Sequence, residues 1–155
     1  SEHWWHRIVT ERYHGNKDAA FVLGNEIGLL ILQKQNLLDI DLIVPVPISK
    51  KKLKSRGYNQ SEEVAKGIAH IIKKPINTTL LKRAKTMTTQ TKSSRFERWE
   101  NMKNEYHLNK KLSKKASLLL VDDVITTGAT IHSCIEALEN QFSHIHIAAV
   151  AASKQ

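Results

Sequence analysis

The sequence predicts an α/β fold, a mostly parallel sheet covered by helices on both faces, and three observations carry that prediction. Short apolar runs alternate with amphipathic stretches along the chain. The runs at Leu42 to Val46 and Leu118 to Val121 are continuously apolar rather than alternating, as strands buried on both faces are. At 155 residues, with no internal repeat or low-complexity segment, the chain (1–155) reads as a single domain able to bury its own core.

The elements follow in order. Asn16 can cap a helix over about Lys17 to Gln35, with Phe21, Leu23, Ile27, Leu30 and Ile31 as its apolar face. Leu42 to Val46 is a buried strand stopped by Pro45 and Pro47, since proline cannot donate to a ladder. A basic loop follows, and Asn59 or Ser61 starts a helix through about Ile72 with Val64, Ile68, Ile71 and Ile72 inward. Thr78 to Leu81 is expected as a short strand, and Ser93 opens a polar helix through about Asn104. Strand Ser117 to Val121, helix Thr130 to Gln141 and strand Ile145 to Ala151 complete the pattern.

Composition narrows the function classes. Charged residues at 25% and hydrophobic ones at 41% are globular values. The formal net charge of +9 implies affinity for polyanions, a pyrophosphate-bearing small molecule or nucleic acid. One cysteine, Cys134, excludes a disulfide framework and any cysteine-only metal site within the chain, and its place is the inner face of the last helix. No segment reaches the roughly 18–20 uninterrupted apolar residues that a membrane span needs, and no secretory signal opens the chain, so a cytoplasmic location is expected. The chain opens on Ser1 rather than methionine, as a processed or shortened chain would.

The most informative segment is Ser117-Leu-Leu-Leu-Val-Asp-Asp-Val-Ile-Thr-Thr-Gly-Ala-Thr130. Two acids stand at the end of a buried strand, and a hydroxyl-rich glycine loop leads into a helix. Ligands of open α/β sheets bind at that edge. Backbone N–H groups of a tight loop and the positive end of a helix dipole attract an anion, and Gly128 permits close approach. Ionised carboxylates only accept hydrogen bonds, so Asp122 and Asp123 want hydroxyls or a divalent cation. A ribose 5-phosphate has both halves. The segment resembles the phosphoribosyl-pyrophosphate (PRPP) signature of the type I phosphoribosyltransferases. That resemblance implies that Asp122 and Asp123 hold the ribose hydroxyls, and that Thr126, Thr127, Gly128, Ala129 and Thr130 hold the 5-phosphate.

A second constellation is Leu42-Ile-Val-Pro-Val-Pro-Ile-Ser-Lys50 followed by Arg56-Gly-Tyr-Asn-Gln60. A strand opening into Lys50, Lys51, Lys52, Lys54 and Arg56 builds a second anion site beside the first. This pattern resembles the ComF family of phosphoribosyltransferase-like proteins, associated with DNA uptake in competent bacteria, with Tyr58 where phenylalanine is usual. The resemblance makes Ile48, Ser49 and Lys50 candidates for backbone donation to pyrophosphate, and Arg56, Asn59 and Gln60 candidates for side-chain contact. The third constellation, Leu81-Lys-Arg83, Gln90, Arg98, Asn101 and Tyr106, matches the same family, with Ser93 where it usually has leucine. In type I enzymes a mobile segment between these strands brings cations to the pyrophosphate. Ala84 to Ser94 suits that role, and Arg83, Gln90 and Arg98 are the expected participants.

The resemblance covers about Arg12 to the end. It implies a type I phosphoribosyltransferase-like fold with a small hood, drawn from the N-terminal helix and Trp99, and Mg2+-dependent transfer of phosphoribosyl to a nitrogen acceptor with release of pyrophosphate. Mg2+ would be held through PRPP and by Asp122 and Asp123. The Pro-Val-Pro and Arg, Gln, Arg features also resemble the amidophosphoribosyltransferases, without their glutaminase half. ComF-like proteins commonly carry an N-terminal zinc-binding segment with four cysteines, absent from this sequence either by truncation or naturally. A rival expectation is a non-catalytic nucleic-acid-binding or PRPP-sensing protein acting in DNA uptake, with single-stranded DNA as partner. The oligomeric state is not readable from the sequence, although dimers are common among relatives, which makes a homodimer a candidate partner state. His3 and His6 around Trp4 and Trp5, and His144 and His146 on one strand face, lack a third metal ligand and are read as structural.

Overall fold

A computed structural model describes residues 16–34, 39–84, 105–112 and 115–152. Helix α1 (Lys17–Leu32) leads to strand β1 (Leu42–Pro45), helices α2 (Lys50–Arg56) and α3 (Gln60–Ile72), and the short strands β2 (Leu81–Arg83) and β3 (Tyr106–Leu108). Strand β4 (Ala116–Ile125), helix α4 (Ala129–Leu138) and strand β5 (Phe142–Ala152) follow. The main sheet has the order β1-β4-β5 and is parallel throughout, while β2 and β3 form a separate antiparallel ribbon.

Strand alternation divides the core in two. Leu118 and Leu120 pack with Val44, Tyr106, Cys134 and Leu138 on the face that α4 covers. Leu119 and Val121 pack with Ile43, Val64, Ile68 and Ala20 on the face covered by α1 and α3. The parallel sheet with helices on both faces is therefore the architecture that the apolar runs foretold. Cys134 sits fully buried on the inner face of α4, where burial pushes its thiol up to about 12 and keeps it a small apolar residue at neutral pH.

Helices α1 and α3 cross with their backbones in contact. A Cβ on Gly24 would lie 2.2 Å from the Val64 carbonyl oxygen, and one on Gly67 would lie 2.1 Å from that of Phe21. No side chain fits there, so these glycines set the helix spacing.

Several boundaries differ from the sequence expectation. The basic stretch read as a loop is helical: the Ser49 hydroxyl accepts from the Lys52 amide at 3.2 Å, and Gly57, at φ 81°, closes the C-terminus. Thr78 to Leu80 is a turn and not strand, because the Asn77 side chain accepts from the Thr79 and Leu80 amides at 3.0 and 2.9 Å. Strand β4 runs past the acids, since its ladder with β5 continues from Asp122 opposite Ala149 to Ile125 opposite Ala152. Helix α1 stops at Leu32 and α4 at Leu138, while β5 begins as early as Phe142. The Ser93–Asn104 helix, Trp99, Trp4, Trp5, His3 and His6 lie outside the described residues.

Candidate functional site

The carboxyl edge of β1 and β4 gathers two of the three motifs. The Val46 amide donates to the Val121 carbonyl at 2.8 Å, so the Pro-Val-Pro turn is fastened one residue before the acids. The Asn59 side chain donates to the Val46 carbonyl at 3.0 Å and accepts from the Ser61 amide at 3.2 Å. Asn59 thus caps α3 and ties it to the turn. Arg56, the last residue of α2, donates to the side chain of Gln60, the first of α3, across the link between the two helices, and both are exposed or partly so. The Lys17 ammonium lies 5.9 Å from the Tyr58 ring centroid, a packing role that tyrosine fills as phenylalanine would.

The two acids have different surroundings. Asp122 is 6% exposed and lines the hollow of the Thr126 to Thr130 loop, whereas Asp123 is half-buried beside it. Burial, then the negative charge of Asp123, pushes the Asp122 carboxyl up to about 6. The Ser61 hydroxyl donates to it at 3.2 Å, which favours the ionised form and partly offsets that rise. Ser61 is the site residue that sequence reading placed only as a helix start. Its one signal was a small hydroxyl residue in the first turn of a helix leaving the site edge.

The loop itself is built from backbone. Gly128 takes φ 80°, a left-handed conformation that glycine adopts freely, and caps α4 without a side-chain hydrogen bond. Thr127 Oγ1 accepts from the Ala129 amide at 3.3 Å. Thr130 and Ile131 of the first turn line the hollow, and Gly128 offers no capping side chain, an arrangement suited to an anion.

A second concavity, an open groove of about 720 Å3, lies between the Pro47 to Lys51 segment and the β2–β3 ribbon. Ile48, Ser49, Lys50, Lys51 and Arg83 line it, as do Lys82 and His107, which the sequence did not mark as contacts. The Ser49 hydroxyl is engaged in capping α2, and Lys50 opens that helix. Arg83 is ion-paired with Glu105 at the root of the ribbon. Gln90, Arg98 and Asn101 lie outside the described residues, so of the third motif Leu81, Lys82, Arg83 and Tyr106 are described.

The donor set fits a divalent cation brought by a sugar phosphate. No group of three or more metal-ligating side chains occurs among the described residues. Mg2+ is commonly held by one or two carboxylates with the remaining ligands from phosphate and water. Asp122 and Asp123, whose mutual repulsion a cation would relieve, are such a pair. His144 and His146, with rings 6.4 Å apart, stand early in β5, away from this edge.

A family model described as the phosphoribosyl transferase domain matches residues 53–155. The chain is 33% identical over 100 residues to Competence protein F of Haemophilus influenzae, covering 63% of this chain and 44% of that one. It is 29% identical over 151 residues to the DNA utilization protein YhgH of Escherichia coli, covering 86% of this chain and 66% of the relative. Among solved structures, glutamine PRPP amidotransferase from B. subtilis, complexed with ADP and GMP, superposes with a TM-score of 0.57 at 17% identity. That likeness covers 84% of this chain and 26% of the larger one, and it concerns the fold.

Proposed function

The chain belongs to the phosphoribosyl transferase domain family, and on that premise we propose that it binds PRPP with Mg2+ and transfers phosphoribosyl to a nitrogen acceptor, releasing pyrophosphate. The observation that carries this reading is the Val46 to Val121 hydrogen bond, which sets the Pro-Val-Pro turn and the paired acids side by side at one sheet edge.

In this reading Asp122 and Asp123 accept the ribose hydroxyls, and the Thr126 to Thr130 loop takes the 5-phosphate. Ile48, Ser49, Lys50 and Arg83 receive the pyrophosphate. The nucleophile displaces pyrophosphate from the anomeric carbon through a transition state of oxocarbenium character. Positive charge on the sugar is supported by the ionised acids, and negative charge on the leaving group by Lys50 and Arg83. Mg2+, when bound, neutralises charge on the departing pyrophosphate. Ammonia or an amine is the acceptor class that the amidophosphoribosyltransferase resemblance suggests.

The test is to supply PRPP, MgCl2 and an amine series and to assay released pyrophosphate. Amine-dependent release supports transfer. PRPP binding without release under every amine would leave a sensing role and contradict catalysis.

A second reading has its own support. Helix α2 exposes Lys50, Lys51, Lys52 and Lys54, none of them ion-paired among the described residues, and the relatives are named for competence and DNA utilization. Binding of single-stranded DNA through this face would weaken steeply with salt. A titration at two salt concentrations decides it, and no binding even at low salt would end it.

A further inference from the structure

We propose that Glu105 is a specificity-determining counter-ion of the basic groove, a carboxylate that an entering polyphosphate must displace from Arg83. The proposal rests on the reading of that groove as the pyrophosphate site. Arg83 and Glu105 form an ion pair with side chains 27% and 30% exposed, so water screens it only in part. The ribbon fixes both ends: Arg83 stands opposite Tyr106 in the ladder, and the Ala84 amide donates to the Glu105 carbonyl at 2.7 Å. The guanidinium carbon lies 5.8 Å from the ring centroid of Tyr106, itself 5% exposed. The charged end of Arg83 is thus engaged by Glu105 and the Tyr106 ring, in a residue that also lines the groove.

The other groove cations differ. Lys50, Lys51 and Lys82 have no carboxylate partner among the described residues. An anion therefore meets these lysines at once, but it gains Arg83 only by displacing Glu105, whose charge repels it. Repulsion scales with the charge of the incoming group, so Glu105 opposes pyrophosphate more than orthophosphate. Functionally it limits how tightly a released pyrophosphate is retained.

The test titrates inorganic pyrophosphate and orthophosphate calorimetrically into the full chain and its Glu105→Gln, Arg83→Gln and doubly substituted variants. Glu105→Gln is expected to tighten pyrophosphate binding about three- to fivefold, the size of a partly exposed ion pair, and orthophosphate binding less. In the Arg83→Gln background the gain should nearly vanish. Wild-type binding with unchanged or weaker binding by Glu105→Gln overturns the proposal, as does a gain fully retained without Arg83. Absence of pyrophosphate binding in every variant, wild type included, defeats the reading of the groove itself. Should Glu105→Gln fail to fold, Glu105→Asp withdraws the carboxylate by one methylene. Tighter pyrophosphate binding by that variant supports the displaced pair, and unchanged affinity contradicts it.

Discussion

The Thr-Gly loop and the basic groove both suit anions, yet they are built from opposite materials. The loop uses backbone amides, a glycine at φ 80° and a helix N-terminus, with a buried acid as its neighbour. The groove uses lysine and arginine side chains around an apolar floor of Pro47, Ile48 and Leu81. Backbone donors are fixed by the fold and select a shape. Long cationic side chains keep their freedom and follow total charge, which screening weakens. Under the proposed function the loop takes the phosphate that stays with the sugar, and the groove the one that leaves.

The largest expected effect concerns the acid behind the loop. Asp122 has a folded-state pKa raised to about 6, so its neutral form is the one folding favours. That contribution is complete below the unfolded value near 4 and is lost as pH rises through about 6, which leaves the folded protein penalised at pH 7. Asp122→Asn should then stabilise the chain by roughly 2–3 kcal/mol at pH 7. Urea unfolding at pH 7 and pH 4 checks this, and the gain should disappear at the lower pH.

Next comes the loop backbone. Gly128→Ala meets no atom within 4 Å of its new Cβ, so its cost is conformational, about 1–2 kcal/mol for a left-handed alanine. PRPP affinity should fall roughly tenfold or more while affinity for free pyrophosphate stays near wild type. Equal losses for both ligands would merge the two regions into one site.

Ionisation gives a third handle. The affinity for PRPP should rise about tenfold between pH 5 and pH 7 as Asp122 becomes a carboxylate able to accept ribose hydroxyls. Asp122→Asn should flatten that rise, as read by titration at each pH. The smallest effect belongs to the groove: Lys50→Gln with Lys51→Gln should weaken pyrophosphate binding about threefold to tenfold at low salt and lessen its salt dependence, as exposed charges do.

Which parts were legible follows from the same contrast. Continuous apolar runs and a glycine between hydroxyl residues reveal strand, loop and helix start, because local backbone preference decides them. Leu118 to Val121, Gly128 and buried Cys134 were all readable for that reason. The groove depends on contacts distant in sequence. Lys82 and His107 reach it only through the β2–β3 ribbon, and Asp122 meets Ser61 across 61 positions. The tie from the Asn59 side chain to the carbonyl of Val46, thirteen positions away, was likewise hidden in the sequence. Helix α2 was hidden by five positive charges in seven residues, which repel one another, while the caps at Ser49 and Gly57 hold it.

The measurement closest to the central claim is a calorimetric titration of PRPP with MgCl2 into the wild-type chain and into Asp122→Asn/Asp123→Asn. Binding in the wild type and its loss in a variant that remains folded is the expected result. Unchanged affinity in the doubly substituted chain would contradict a PRPP site at this sheet edge.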